Sequence, residues 1–154
     1  MMAARIVLLF AVSPCLMSSN DNAYDRFIRH HIPPDSPTTV DETVWERFIK
    51  DHGLCERPLQ SFLHPDDKNR VKAVCTKRGG KVHKGNLCIS LNKFSFITVE
   101  YAVGSCRVKK TKHLILACDK VNNMCLPVHF QRNPNNENPR EHARYCDAPR
   151  RWAE

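Results

Sequence analysis

His113-Leu-Ile-Leu-Ala-Cys118 and Cys125-Leu-Pro-Val-His-Phe130, separated by Asn122-Asn123, are the stretch on which the fold turns. Each run is short and largely apolar, and the asparagine pair between them favours a tight reversal, so the segment reads as strand, turn, strand. Working outward, Leu87–Leu91, Phe94–Val103 and Cys106–Lys109 have the same character. Gly79-Gly80, Gly85-Asn86 and Asn92-Lys93 supply the expected turns.

Upstream the period changes. Tyr24, Phe27, Ile28 and His31 recur at helical spacing after the polar opening Asn20 to Asn22. Thr39-Val-Asp-Glu42 has the form of a capping box, followed by the apolar stripe Val44, Trp45, Phe48 and Ile49, with Gly53 as the stop. Pro65-Asp66-Asp67 opens a third short helix that buries Val71, Val74 and Cys75. Helices first and strands after predict a single α+β domain with an antiparallel sheet.

The two ends read differently. Residues 1–19 combine a basic start, the apolar run Ile6 to Val12 and small polar residues at Ser18 and Ser19, the pattern of a secretory signal peptide. That run is shorter than the roughly 20 apolar residues a membrane span needs. The domain is expected over 20–131, and the tail over 132–154 reads as flexible because Asn133 to Arg140 has little to bury. Of eight cysteines, Cys15 falls within the leader, and the odd remainder in a secreted chain leaves one thiol over or paired with another molecule.

The 154-residue chain carries a formal charge of +8, unevenly placed. Lys68, Arg70, Lys72, Lys77, Arg78, Lys81 and Lys84 fall in one acid-free stretch, and Arg107, Lys109, Lys110 and Lys112 form a second knot. Such density suits a polyanion: RNA, heparan sulfate or an anionic membrane surface. There is no C-x-x-C or H-x-x-x-H pair, so no metal and no cofactor are expected.

Cys118-Asp119 followed by Leu126-Pro-Val-His-Phe130 resembles the last two strands of the pancreatic ribonuclease (RNase A) superfamily. Tyr24-Asp-Arg-Phe-Ile-Arg-His-His31 is similar to that family's first helix. Arg70 to Cys75, with Gly79-Gly80, His83-Lys84 and Asn86-Leu87, is closest to its angiogenin-like branch. The resemblance runs in order from Tyr24 to Phe130. It implies an RNase A-like fold, three short helices on a bent antiparallel sheet stapled by disulfides.

By that resemblance Cys55–Cys106 and Cys75–Cys118 are family pairings. Trp45 and Glu100 stand where the family has a further pair. Cys88–Cys125 is the expected third bridge, and a Cys125–Cys146 bridge holding the tail remains open.

The resemblance also implies the chemistry: the RNA 2′-hydroxyl attacks the adjacent phosphorus while one histidine takes a proton and another supplies one. Imidazole titrates near neutrality and suits both roles. His31 is then the base, His129 the acid, and Arg57 takes the place of the family's charge-stabilising lysine. Arginine keeps the charge but not the compact ammonium, so reduced activity is expected.

Ser61 takes the pyrimidine-selecting hydroxyl position. His30, Gln60 and Phe130 line the same site, Phe130 also reading as core, and Lys72, Lys77, Lys81 and Lys84 are phosphate-contact candidates. His30 replaces a glutamine, and Gln131 replaces the aspartate that orients the second histidine. His52, His64, His83, His113 and His142 read as surface residues.

A secreted, monomeric endoribonuclease is the function this implies, with host-defence or angiogenin-like roles beside it. The competing class is a weakly active or inactive secreted protein that binds polyanions, a receptor or microbial surfaces.

Overall fold

The computed structural model describes residues 22–39, 41–56, 60–102 and 105–146. The expected leader, Arg57 and Trp152 lie outside the described residues, as do the side chains of Glu100 and Cys106. Helices α1 (Ala23–His31), α2 (Glu42–Asp51) and α3 (Lys68–Ala73) are combined with strands β1 (Gln60–Leu63), β2 (Gly80–Lys84), β3 (Leu87–Ala102), β4 (Ser105–Val121) and β5 (Met124–Gln131). This is the expected α+β architecture. Among the described residues no helix is long and apolar enough to cross a membrane.

Local chemistry sets the helix ends. Asn22 caps α1 by accepting from the Asp25 N–H at 2.8 Å. The cap of α2 is Asp41, which accepts from the Thr43 N–H at 2.8 Å, while Thr39 accepts from the Asp41 N–H and stands two residues too early to be the cap itself. Gly53, at φ +61°, ends that helix region as its sequence position suggests.

The sheet is antiparallel in the order β1-β3-β4-β5, with β2 also on β3. Asn122 and Asn123, both at positive φ, make the reversal between β4 and β5, where the twist of paired strands favours such turns. Pro127 sits in the edge strand β5, opposite the register shift at Ala117/Cys118, a place that spares a ladder hydrogen bond.

Cys106–Lys109 and His113–Cys118 are parts of one strand, Ser105–Val121, and two of the expected turns need correction. Asn92-Lys93 is not a turn: the run Leu87–Ala102 is one strand whose register shifts between Ile89 and Lys93. Buried Ser90 fills the irregularity, donating to the Asn92 carbonyl and accepting from the Leu114 N–H. His113, expected on the surface, is half-buried and donates from Nδ1 to the Ser90 carbonyl. The other correction is Gly80, which opens β2. A Cβ there would stand 1.9 Å from the Val74 carbonyl oxygen, so the close approach of backbone to backbone requires glycine.

Two apolar clusters form the core. Phe27, Leu63, Val71, Val74, Phe94, Leu114 and Leu116 join α1 and α3 to the sheet. Trp45, Ile49, Leu54, Phe62, Ile97 and Val99 hold α2 and β1 against β3. Trp45 stands where the resemblance places a lost cysteine. It is buried, stacks at 5.7 Å on Phe62 and donates its indole N–H to the Thr39 carbonyl, so its polar atom is satisfied. An aromatic plug occupies the place of a covalent staple.

Cys75 and Cys118 are disulfide-bonded as expected, and Cys55 is disulfide-bonded as well. The third expectation is wrong: Cys88 pairs with Cys146, not Cys125, which remains a thiol. The tail expectation changes with it for residues 132–146. Val82 donates to the Arg144 carbonyl and Cys146 to the Gly80 carbonyl, so the tail extends the outer edge of β2. Lys81 donates to the carbonyls of Arg140 and Glu141 and lies 5.1 Å from the Tyr145 ring centre. Backbone pairing and one disulfide supply what the composition lacks in apolar side chains.

Candidate functional site

His31 closes α1, Ser61 lies on β1, and His129 and Phe130 end β5. The Nδ1 of His31 is 2.8 Å from the Ser61 carbonyl oxygen. A carbonyl only accepts, so Nδ1 carries the proton and Nε2 keeps its lone pair. Burial, the largest effect, pushes the His31 pKa down to about 4 against the pull of this hydrogen bond. Positive charge on His30 or His129 would push it the same way, which places His129 within electrostatic reach.

The His31 ring is held between Phe27, at 4.9 Å, and Phe130, at 5.3 Å between centroids. Phe130 also meets Phe96 edge-on at 5.5 Å. Both readings of Phe130 therefore apply: it packs on the core and walls the site. His129, one residue earlier on the alternating strand, is exposed. Among the described residues no hydrogen bond holds its ring, consistent with Gln131 in place of an orienting carboxylate. Gln60 reaches α1 as well, donating from Nε2 to the His30 carbonyl at 2.8 Å.

Beside the pair lies a small cleft lined by Ser61, Phe96, Thr98, Lys110, Lys112, Phe130, Arg132, Asn133 and Pro134. Ser61 is buried, and its hydroxyl is 2.9 Å from that of Thr98. Asn133 is buried too. It donates to the His113 and Glu137 carbonyls, accepts from the Glu137 N–H, and its own carbonyl accepts from Lys112 at 2.7 Å. These contacts pin the chain just after β5 along the cleft.

The structure thus brings together His31, His129, Gln60, Ser61 and Phe130. Lys72 and Lys84 do not line the cleft: Lys72 lies on α3 with Nζ 6.0 Å from the Tyr24 ring, and Lys84 ends β2. Lys81 is engaged by the tail. The sequence reading missed Thr98 and Asn133. Thr98 follows from strand register, which sets it opposite Ser61, a relation that spacing along one chain does not contain. Lys110 and Lys112 belong to the second basic knot, whose placement at the cleft was not foreseen.

Comparison with known proteins gives a consistent set of relatives. The chain is 26% identical over 136 residues to angiogenin of Aotus trivirgatus, covering 82% of this chain and 89% of that protein. It is 27% identical over 137 residues to angiogenin-1 of Bos taurus, covering 82% and 88%. Against the delta-type pancreatic ribonuclease of Rattus norvegicus it is 31% identical over 118 residues, covering 68% and 76%. Among solved structures, green turtle egg white ribonuclease matches the fold with a TM-score of 0.53 at 24% identity, covering 73% of this chain and 98% of that one. No family model matches the chain.

Proposed function

The chain belongs to the pancreatic ribonuclease (RNase A) superfamily, in its angiogenin-like branch, and from that membership we propose a secreted, monomeric endoribonuclease that cleaves RNA 3′ of pyrimidines. The observation that carries this reading is the hydrogen bond from His31 to Ser61. It fixes the tautomer a base needs, while burial keeps the imidazole neutral at physiological pH.

Nε2 of His31 takes the 2′-hydroxyl proton, and the 2′-oxygen forms a bond to phosphorus. The bond to the 5′-oxygen breaks, and His129 protonates that leaving oxygen. The product is a 2′,3′-cyclic phosphate, formed without a metal because the nucleophile is part of the substrate. Arg57 stabilises the charge developing on the phosphoryl oxygens. Ser61 selects the pyrimidine, with its hydroxyl shared with Thr98, which supports reduced activity. Lys72 and Lys84 contribute to affinity along the strand at long range.

The test is product analysis after digestion of a pyrimidine-containing oligonucleotide in excess chelator. A 2′,3′-cyclic phosphate terminus supports the mechanism; cleavage that stops in chelator contradicts it.

A second reading is favoured by the Asn133 segment along the cleft: a secreted binding protein that uses the basic surface for heparan sulfate, other polyanions, a receptor or microbial envelopes. It predicts unchanged retention on immobilised heparin after His31→Ala together with unchanged biological effect.

A further inference from the structure

The odd cysteine is not isolated. Cys75 follows α3, Cys118 lies on β4 and Cys125 on β5, and the sulfur atoms of all three lie within 4.8 Å of one another. Two of them form the disulfide that ties the end of α3 to the sheet, and the third is a thiol. The strand register explains the gathering. Cys125 pairs with Lys120, so Cys118, two residues along β4, is its diagonal neighbour.

Access is divided in the same cluster. Cys75 and Cys118 are buried, at 0% and 1% exposure, whereas Cys125 is partly exposed. A thiol from solution meets Cys125 before it can meet the disulfide. The sulfur placed to attack the buried bond is the one the protein itself supplies.

We propose that Cys125 is an internal exchange thiol for the Cys75–Cys118 disulfide, which makes the tie between α3 and the sheet a reversible one. The Cys125 thiolate attacks Cys118 Sγ. A Cys118–Cys125 bond forms, the Cys75–Cys118 bond breaks, and Cys75 leaves as a thiolate that takes up the proton Cys125 gave up. One disulfide and one thiol are present before and after, so no oxidant or reductant is consumed.

Attack on Cys75 instead gives Cys75–Cys125 and a Cys118 thiol by the same balance. The resting pairing spans 43 residues, while Cys118–Cys125 closes a much shorter loop across strands already paired. The folded protein holds Cys75–Cys118 with both residues buried, so this pairing is the resting one and the isomer a minor state that trapping reveals. While the Cys118–Cys125 isomer exists, α3 loses this covalent hold on the sheet.

The experiment is native alkylation of the oxidised protein with iodoacetamide at ~pH 8, where thiolate is substantially present, followed by acid quench and peptide mapping. The expected result is label on Cys125 and, accumulating with time, on Cys75 or Cys118, with the matching Cys118–Cys125 or Cys75–Cys125 cross-linked peptide. In Cys125→Ser the label on Cys75 and Cys118 is lost. Four results overturn the proposal: label confined to Cys125 with Cys75–Cys118 intact throughout, no label anywhere, a dimer linked through Cys125 with Cys75–Cys118 intact, or label on Cys75 or Cys118 that persists in Cys125→Ser.

Discussion

The Nδ1–H of His31 donates to the backbone carbonyl of Ser61 at 2.8 Å, joining the last turn of α1 to the strand that carries the hydroxyl proposed to select the base. Because the imidazole is buried and its pKa is lowered to about 4, His31 stays neutral through mildly acid conditions. The acid limb of kcat/KM therefore falls near pH 4 rather than near the ~6.5 of an ordinary histidine. A pH–rate profile on a dinucleotide substrate measures it. His31→Ala lowers the rate by roughly 100- to 10,000-fold, the usual worth of a general base.

The same shift acts on stability. In the unfolded chain His31 protonates near ~6.5, in the folded chain at about 4. Above the upper value the group is neutral in both states and its contribution is complete. As pH falls between the two values the unfolded state takes up a proton that the folded state does not, so stability drops. Below the lower value the loss is finished. The total is roughly 3 kcal/mol. Urea midpoints across this window show the slope in the wild type and a shallower one in His31→Gln.

Thr98 engages the Ser61 hydroxyl at 2.9 Å in a buried position. Thr98→Val keeps the shape and removes the partner, leaving Ser61 to a pyrimidine base. The expected change is a rise in kcat/KM of up to about tenfold for pyrimidine substrates, equivalent to one hydrogen bond. Ser61→Ala lowers it instead. Steady-state kinetics of the two variants side by side separates release of the hydroxyl from a general loosening of the cleft.

The Cys88–Cys146 disulfide closes a loop of sequence separation 58 and fastens a segment with few apolar residues. Cys146→Ser lowers unfolding free energy by about 2–4 kcal/mol. Hydrogen exchange rises first at the Val82 and Cys146 amides, whose partners belong to the strand-like contact between the tail and β2.

The elements whose reading depends on nearby residues were legible from the sequence. The stripe Phe27, Ile28, His31 marks α1, and the Asn122-Asn123 pair marks the reversal before β5. The meeting of the end of α1 with the end of β5 was legible as well, through the motifs around His31 and His129. The features that escaped depend on partners distant along the chain. Asn92-Lys93 has the composition of a turn, but β4 pairs past it and Ser90 absorbs the irregularity. Asn133 to Arg140 has the composition of a solvated tail, but Cys146 and the open edge of β2 hold it. The choice among Cys88, Cys125 and Cys146 is likewise a question of three-dimensional proximity, since each pairing is compatible with the order of strands.

The central claim is a histidine-pair ribonuclease, and it is met most directly by cleavage of a pyrimidine–purine dinucleotide by the oxidised protein beside His129→Ala, with folding of both checked by circular dichroism. The account predicts cleavage by the wild type and its loss in the variant. Equal rates from the two folded samples, whether at background or well above it, would contradict it.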